Sequence, residues 1–134
     1  MAKANTSVAV GGLILAAGDI EYNTHAESVT CKVRNTADRP VQVGSHYHFF
    51  EVNQQLEFDR GLAFGKRLDI PATTGIRFEP GDEMEVTLIP YGGNQRAVGF
   101  NNLVDGWTGG VGSFSPNYIR AMKRVGLMGI KNKQ

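Results

Sequence analysis

Two stretches of strict alternation, Ser28-Val-Thr-Cys-Lys-Val-Arg34 and Glu83-Met-Glu-Val-Thr-Leu-Ile89, set the period to which this chain must fold. In the first, Val29, Cys31 and Val33 fall on one side, with Thr30, Lys32 and Arg34 on the other. In the second, Met84, Val86 and Leu88 oppose Glu83, Glu85 and Thr87. Successive side chains of an extended strand point to opposite faces, so each run reads as a strand with one dry and one wet face. The 17 glycines and 5 prolines are dispersed between short runs rather than gathered in a linker, as many tight turns require. The spacing predicts an all-β chain, an antiparallel sandwich or barrel.

The remaining segments fit that frame. Residues 1–11 read as a flexible arm, small and polar over residues 1–7. Residues 12–107 form the β domain, and residues 108–134 a tail. Leu13-Ile-Leu15 suits a short strand. Gly18–Asn23 offers a turn, then Ile20 and Tyr22 in alternation. Residues 41–50 extend as a strand after the Asx and Pro turn chemistry of residues 35–40. Asn53 opens one or two helical turns over residues 53–60. Residues 66–70, 76–79 and 83–89 are further strands, and Gly92-Gly93-Asn94 signals a hairpin into residues 96–100. Residues 108–113 read as a glycine-rich connector. Residues 117–127 read as a short amphipathic helix whose stripe is Ile119, Met122 and Val125 or Leu127, among Arg120, Lys123 and Arg124. Such a helix is too short to persist alone and must dock on this chain or another.

Composition narrows the function classes. The 134 residues suffice for one domain with a substantial core. Fourteen basic against thirteen acidic residues give a formal charge of +1, which argues against a nucleic-acid footprint. Arg120, Lys123 and Arg124 read as a solvated face. The apolar run Val8–Gly18 is too short to span a bilayer, so no membrane partner is expected. The single cysteine suits a reducing compartment, and a cytoplasmic location is the expectation.

The most chemically suggestive run is Val41-Gln-Val-Gly-Ser-His46-Tyr-His48-Phe-Phe-Glu51. On a strand, His46 and His48 share a face and form half of a metal site. Gly44, His46, His48 and Glu51 approach the parts of a cupin-like site, which makes a metal-binding protein the alternative reading. The spacing argues against it, because Glu51 is out of phase with both histidines unless a bulge re-aims it. His25, the remaining histidine, lies upstream. His46 and His48 therefore stand as weak metal candidates, better read as hydrogen-bonding within the fold or at an interface. Cys31 sits on the dry face of its strand and reads as a core residue, although His25 is available as a base. Asp59, Asp69 and Glu79 neighbour basic residues and read as solvated pairs. Gly61–Gly65 lacks the phosphate-loop pattern. No catalytic constellation emerges, and a β domain with apolar ends to bury describes an assembly module.

The run Asn35–Asn53 closely resembles the signature of the urease beta subunit family. The resemblance continues through Phe58-Asp-Arg60, Gly65-Lys-Arg-Leu-Asp-Ile-Pro-Ala72, Arg77-Phe-Glu-Pro-Gly81 and Gly99-Phe-Asn-Asn-Leu-Val104, in order, over residues 12–107. It implies a jelly-roll-like sandwich or imperfect barrel on the outside of an assembly of alpha, beta and gamma chains, usually three copies of each. It places two nickel ions, their ligands and urea hydrolysis in the alpha chain. This chain then carries no catalytic residue, cofactor or metal of its own, and accessory proteins that deliver nickel are further partners. The first eleven residues depart from the family's usual opening, and the tail is a variable feature. Interface candidates are His46, His48, Phe49, Phe50, Trp107, Ile119 and Met122, with Phe64 and Phe100 beside them.

Overall fold

The run at residues 28–34 forms the long strand β1 (Val29–Asn35) in the computed structural model, which describes residues 9–23, 27–110 and 115–133. The order continues with β2 (Val41–Gly44), a 3-10 turn (Phe49–Glu51), β3 (Leu56–Glu57), β4 (Lys66–Leu68), β5 (Gly75–Phe78), β6 (Glu83–Pro90), β7 (Arg96–Ala97), β8 (Gly106–Trp107) and the helix α1 (Tyr118–Leu127). A curled four-stranded sheet runs β3-β1-β6-β4, and two ladders, β2-β5 and β7-β8, complete the strand pairing. Every ladder is antiparallel. An all-β antiparallel chain with one short C-terminal helix is therefore what the described residues show.

The two alternating runs pair with each other. Cys31 lies opposite Val86 and Val33 opposite Met84, while Lys32 faces Glu85 on the wet side. Cross-strand pairs of this kind hold register, because a slip of one residue would turn the apolar set outward. The dry face of the sheet contributes Cys31, Val33, Leu56, Leu68, Val86 and Leu88 to one core cluster with Val43 and Phe78 of the β2-β5 ladder and with Phe49 and Phe58. Each such large side chain contributes roughly 1.5–3 kcal/mol when fully buried.

A second, smaller cluster joins Phe50, Phe64, Leu103 and Val104 to Ala121, Val125 and Ile130. Helix α1 thus docks on its own chain. Its buried stripe is rotated from the expected one: Ala121 and Val125 are buried and Met122 is half-buried, whereas Ile119 and Leu127 remain 70% and 77% exposed. Arg120 and Lys123 stay exposed and Arg124 is half-buried, and the two arginines also reach back to the chain. Arg120 donates to the Val104 carbonyl at 2.6 Å and Arg124 to the Asn102 carbonyl at 2.7 Å. The helix ends at Leu127, and the φ of 68° at Gly129 lets Ile130 N–H reach back to the Val125 carbonyl at 3.1 Å and returns Ile130 to the cluster.

Four local expectations are corrected. The strand after residue 40 stops at Gly44, because Tyr47 N–H turns back to the Gly44 carbonyl and residues 49–51 coil into the 3-10 turn. Residues 53–60 are not helical. Asn53 Oδ1 does accept a backbone bond, from Gln55 N–H at 2.8 Å, but the chain then enters β3, where Arg34 and Asn35 supply partners. Leu13–Leu15 has no strand partner among the described residues and is exposed. The Gly92 turn closes, with Gln95 N–H bonding the Gly92 carbonyl, yet β7 pairs with β8 and not with β6. The expectations for residues 1–8, for His25 and for residues 111–114 of the connector lie outside the described residues.

Candidate functional site

The 3-10 turn converts an apparent mismatch into a contact. In a 3-10 helix residues three apart lie over one another. His48, which caps the turn, therefore meets Glu51, and its Nδ1 stands 2.6 Å from Glu51 Oε2. Both side chains are fully buried. His48 Nε2 accepts the Gly65 N–H at 2.9 Å, so that nitrogen carries no proton and the ring proton must sit on Nδ1, facing the carboxylate. Glu51 Oε1 accepts the Leu103 N–H at 2.8 Å, and its backbone carbonyl accepts the Asn101 side-chain amide. Every polar atom of the pair is used. The pair ties the 3-10 turn to the residue before β4 and to the loop 99–105, in which Phe100, Asn102 and Asp105 all have positive φ.

Aromatic rings enclose the pair. His48 stacks on Phe50 with ring centroids 5.7 Å apart, and Phe64, Tyr91 and Phe100 stand at 5.9–6.1 Å. Burial pushes the Tyr91 phenol above its ordinary range, with Arg67 pulling the other way and the Glu51 charge adding to the rise. Tyr47 is raised for the same first reason, desolvation, and then by Glu51. Tyr91 donates to the His46 carbonyl at 2.5 Å.

Beneath the turn lies a buried cation without a carboxylate. Arg60 has no exposed surface, and its guanidinium donates to the carbonyls of Phe50, Val52, Asn53, Leu56 and Lys131 at 2.7–2.9 Å. The five bonds match the five donors of the group. Its Cζ sits 4.4 Å above the Phe58 ring. Burial lowers its pKa to about 10, which leaves it charged at neutral pH. The Lys131 bond, with Asn132 Oδ1 accepting Arg60 N–H and Lys133 N–H bonding the Phe58 carbonyl, fastens the segment after α1 to the β domain.

The predicted residues separate in space. His46 is exposed and His48 buried, so they share no face, and His46 Nδ1 is occupied by Ser45 Oγ at 2.8 Å. Phe49 belongs to the first core cluster, and Phe50 and Phe64 to the second. Trp107 and Phe100 remain 43% and 40% exposed. Cys31 is buried on the dry face, and burial pushes its thiol up, away from the reactive thiolate. Of the three carboxylates read as solvated pairs, Glu79 bonds Arg77 at 2.6 Å, whereas Asp59 accepts Leu62 N–H and Asp69 accepts the Asn23 amide. Among the described residues no three His, Cys, Asp or Glu side chains gather where they could hold a metal ion. No described helix is long and apolar enough to cross a membrane. Sequence reasoning missed the role of Arg60. A lone arginine among Phe58, Leu62, Ala63 and Phe64 was the available signal.

Comparison with known proteins is consistent with this geometry. The family model described as "Urease beta subunit" matches residues 10–107. The chain is 57% identical over 128 residues to "Urease subunit beta" of Yersinia pseudotuberculosis serotype O:1b (strain IP 31758), covering 93% of this chain and 89% of that protein. It is 56% identical over 131 residues to that of Yersinia enterocolitica, covering 96% and 80%. It is also 56% identical over 125 residues to "Urease subunit beta 2" of Brucella abortus (strain 2308), covering 92% and 79%. Coverage of this extent reaches past residue 107, so the similarity includes part of the helical tail. The chain belongs to the urease beta subunit family.

Proposed function

We propose that this chain is the structural, non-catalytic beta subunit of a nickel-dependent urease. Urea is hydrolysed to ammonia and carbamate on an alpha chain that holds both nickel ions, and a gamma chain completes the unit. The assembly contains three copies of each chain, or a multiple, in the cytoplasm, with accessory proteins as transient partners. The observation that carries this reading is the saturation of His48 and Glu51, whose ring nitrogens and carboxylate oxygens are all spent on Gly65, Leu103 and each other. The residues that most resemble a metal site thus serve as a buried strut. They do not fit nickel, and no step of the reaction passes through them.

The contribution of such a chain to catalysis is indirect. A rigid β domain bound to the folded catalytic chain, and not to its unfolded form, stabilises the assembled enzyme by mass action. Permanent interfaces are large and apolar. The residues this fold leaves for them are His46, Trp107, Phe100 and Ile119, with Leu13, Ile14, Leu15 and Ile20 of the extended N-terminal segment, which are 79–89% exposed. His48, Phe49 and Phe50 lie inside the chain and support that surface from beneath.

Co-expression with and without alpha and gamma chains tests the proposal. The complex should hydrolyse urea and carry nickel in proportion to its alpha chains, while the lone chain should show neither activity nor stoichiometric metal. Tight nickel binding by the lone chain, lost in His46→Ala, would instead establish the metal-binding alternative.

A further inference from the structure

The fold buries two arginines and treats them differently. Arg60 spends all five donors on carbonyls. Arg67, in β4, is only 9% exposed, yet its guanidinium makes two longer bonds, Nη2 to Asn23 Oδ1 at 3.1 Å and Nη1 to its neighbour's Leu68 carbonyl at 3.4 Å. Every Asp and Glu side chain lies among the described residues, and none of their carboxylate oxygens stands within 4.0 Å of Arg67. A guanidinium held only by two neutral acceptors keeps donors free for an anion.

Arg67 lines a surface hollow of about 330 Å³ with Tyr22, Asn23, His46 and the apolar turn Ile70–Ala72. Ser45 takes His46 Nδ1, and Nε2 has no partner among the described residues. Tyr22 is 54% exposed. The carboxylate nearest in sequence, Asp69, is engaged by the Asn23 amide N–H at 2.9 Å, while the Asn23 carbonyl faces Arg67. Asn23 therefore bridges the two charges, and no direct ion pair joins Asp69 to Arg67. The hollow combines a planar cationic fork, an imidazole ring and an apolar wall. That chemistry suits a carboxylate carried on a short aliphatic stem, which a guanidinium engages through two parallel bonds.

We propose that this hollow is a carboxylate-binding pocket, filled in the assembled enzyme by an aspartate or glutamate side chain of a partner subunit. The identity of the occupant rests on the subunit reading above. The pocket itself rests on Arg67.

Two measurements test it. Sodium acetate titrated into the isotopically labelled full chain should produce saturable shifts of the Arg67 Nε–H and His46 ring signals, absent in Arg67→Gln. In the complex with alpha and gamma chains, Arg67→Gln should weaken association on the order of thirtyfold and flatten its salt dependence, with the thermal midpoint of the lone chain little changed. Arg67→Lys, which keeps the charge without the fork, should restore the salt dependence and only part of the affinity. Unchanged assembly of Arg67→Gln alongside saturable acetate binding would overturn the partner assignment in favour of a free anion. A loss of lone-chain stability with unaltered salt dependence would overturn the pocket and make Arg67 an internal strut. Failure of the wild-type chain to assemble, with acetate still saturating, would overturn the subunit reading and leave a pocket for a free anion.

Discussion

At His48 the position of one proton decides what the neighbouring carboxylate can be. The Gly65 N–H pins Nε2 as an acceptor, so nitrogen NMR of the ring should show the Nδ1–H tautomer at neutral pH. Glu51→Gln is then not a conservative change. Its amide would face either the His48 N–H or, after a tautomer switch, force the ring proton against Gly65 N–H. One donor is stranded in either case, and urea unfolding should register a loss of roughly 1–3 kcal/mol. Cys31 gives a residue-scale pH signature. Its folded pKa is raised above the ordinary 9.0 by burial, so between those two values the folded chain holds a proton that the unfolded chain releases. Stability is whole below pH 9.0, declines as pH rises toward the folded value, and Cys31→Val should flatten the onset of that decline. Denaturation midpoints across the alkaline range check it.

At the scale of elements, the legible parts were those whose burial alternates cleanly. β1 and β6 could be read directly because Val29, Cys31 and Val33 meet Leu88, Val86 and Met84 across a single ladder. The histidine run misled because Val41, Val43, Tyr47 and Phe49 keep one parity across Gly44-Ser45, where the backbone is diverted: Ser45 N–H bonds the Thr74 carbonyl at 2.9 Å, and the turn follows. Nothing local in the sequence announces a bond across that distance. The same limit hid the His48–Glu51 contact, whose residue types were visible but whose phase was wrong for a strand. It also hid Arg60, whose partners are backbone groups and so leave no pattern of complementary side chains. Arg60→Lys should cost about 3 kcal/mol, since one ammonium with three donors cannot reach carbonyls placed for a five-donor fork. Hydrogen exchange should then quicken at Lys131 and Lys133 before it does in β1.

For the whole molecule, the two core clusters divide the work. The larger one closes the strand framework, and the smaller one holds α1 against Phe50, Phe64 and Leu103. The exposed Ile119 and Leu127 lie on the other side of that helix and add nothing to either cluster. Ile119→Glu should therefore leave the thermal midpoint of the lone chain within about 0.5 kcal/mol of wild type, as surface changes do. It should reduce the size or heat resistance of the complex if α1 meets a neighbouring subunit. Removal of residues 109–134 is the blunter test, since it uncovers the second cluster as well. The Arg60 fork, finally, bears on the order of events during synthesis. Four of its carbonyl partners lie within ten residues of it in sequence, and the fifth, Lys131, lies 71 residues further on. A nascent chain can set the four near carbonyls around Arg60 while Nε–H still faces water, and only the later emergence of Lys131 supplies the carbonyl that completes the fork.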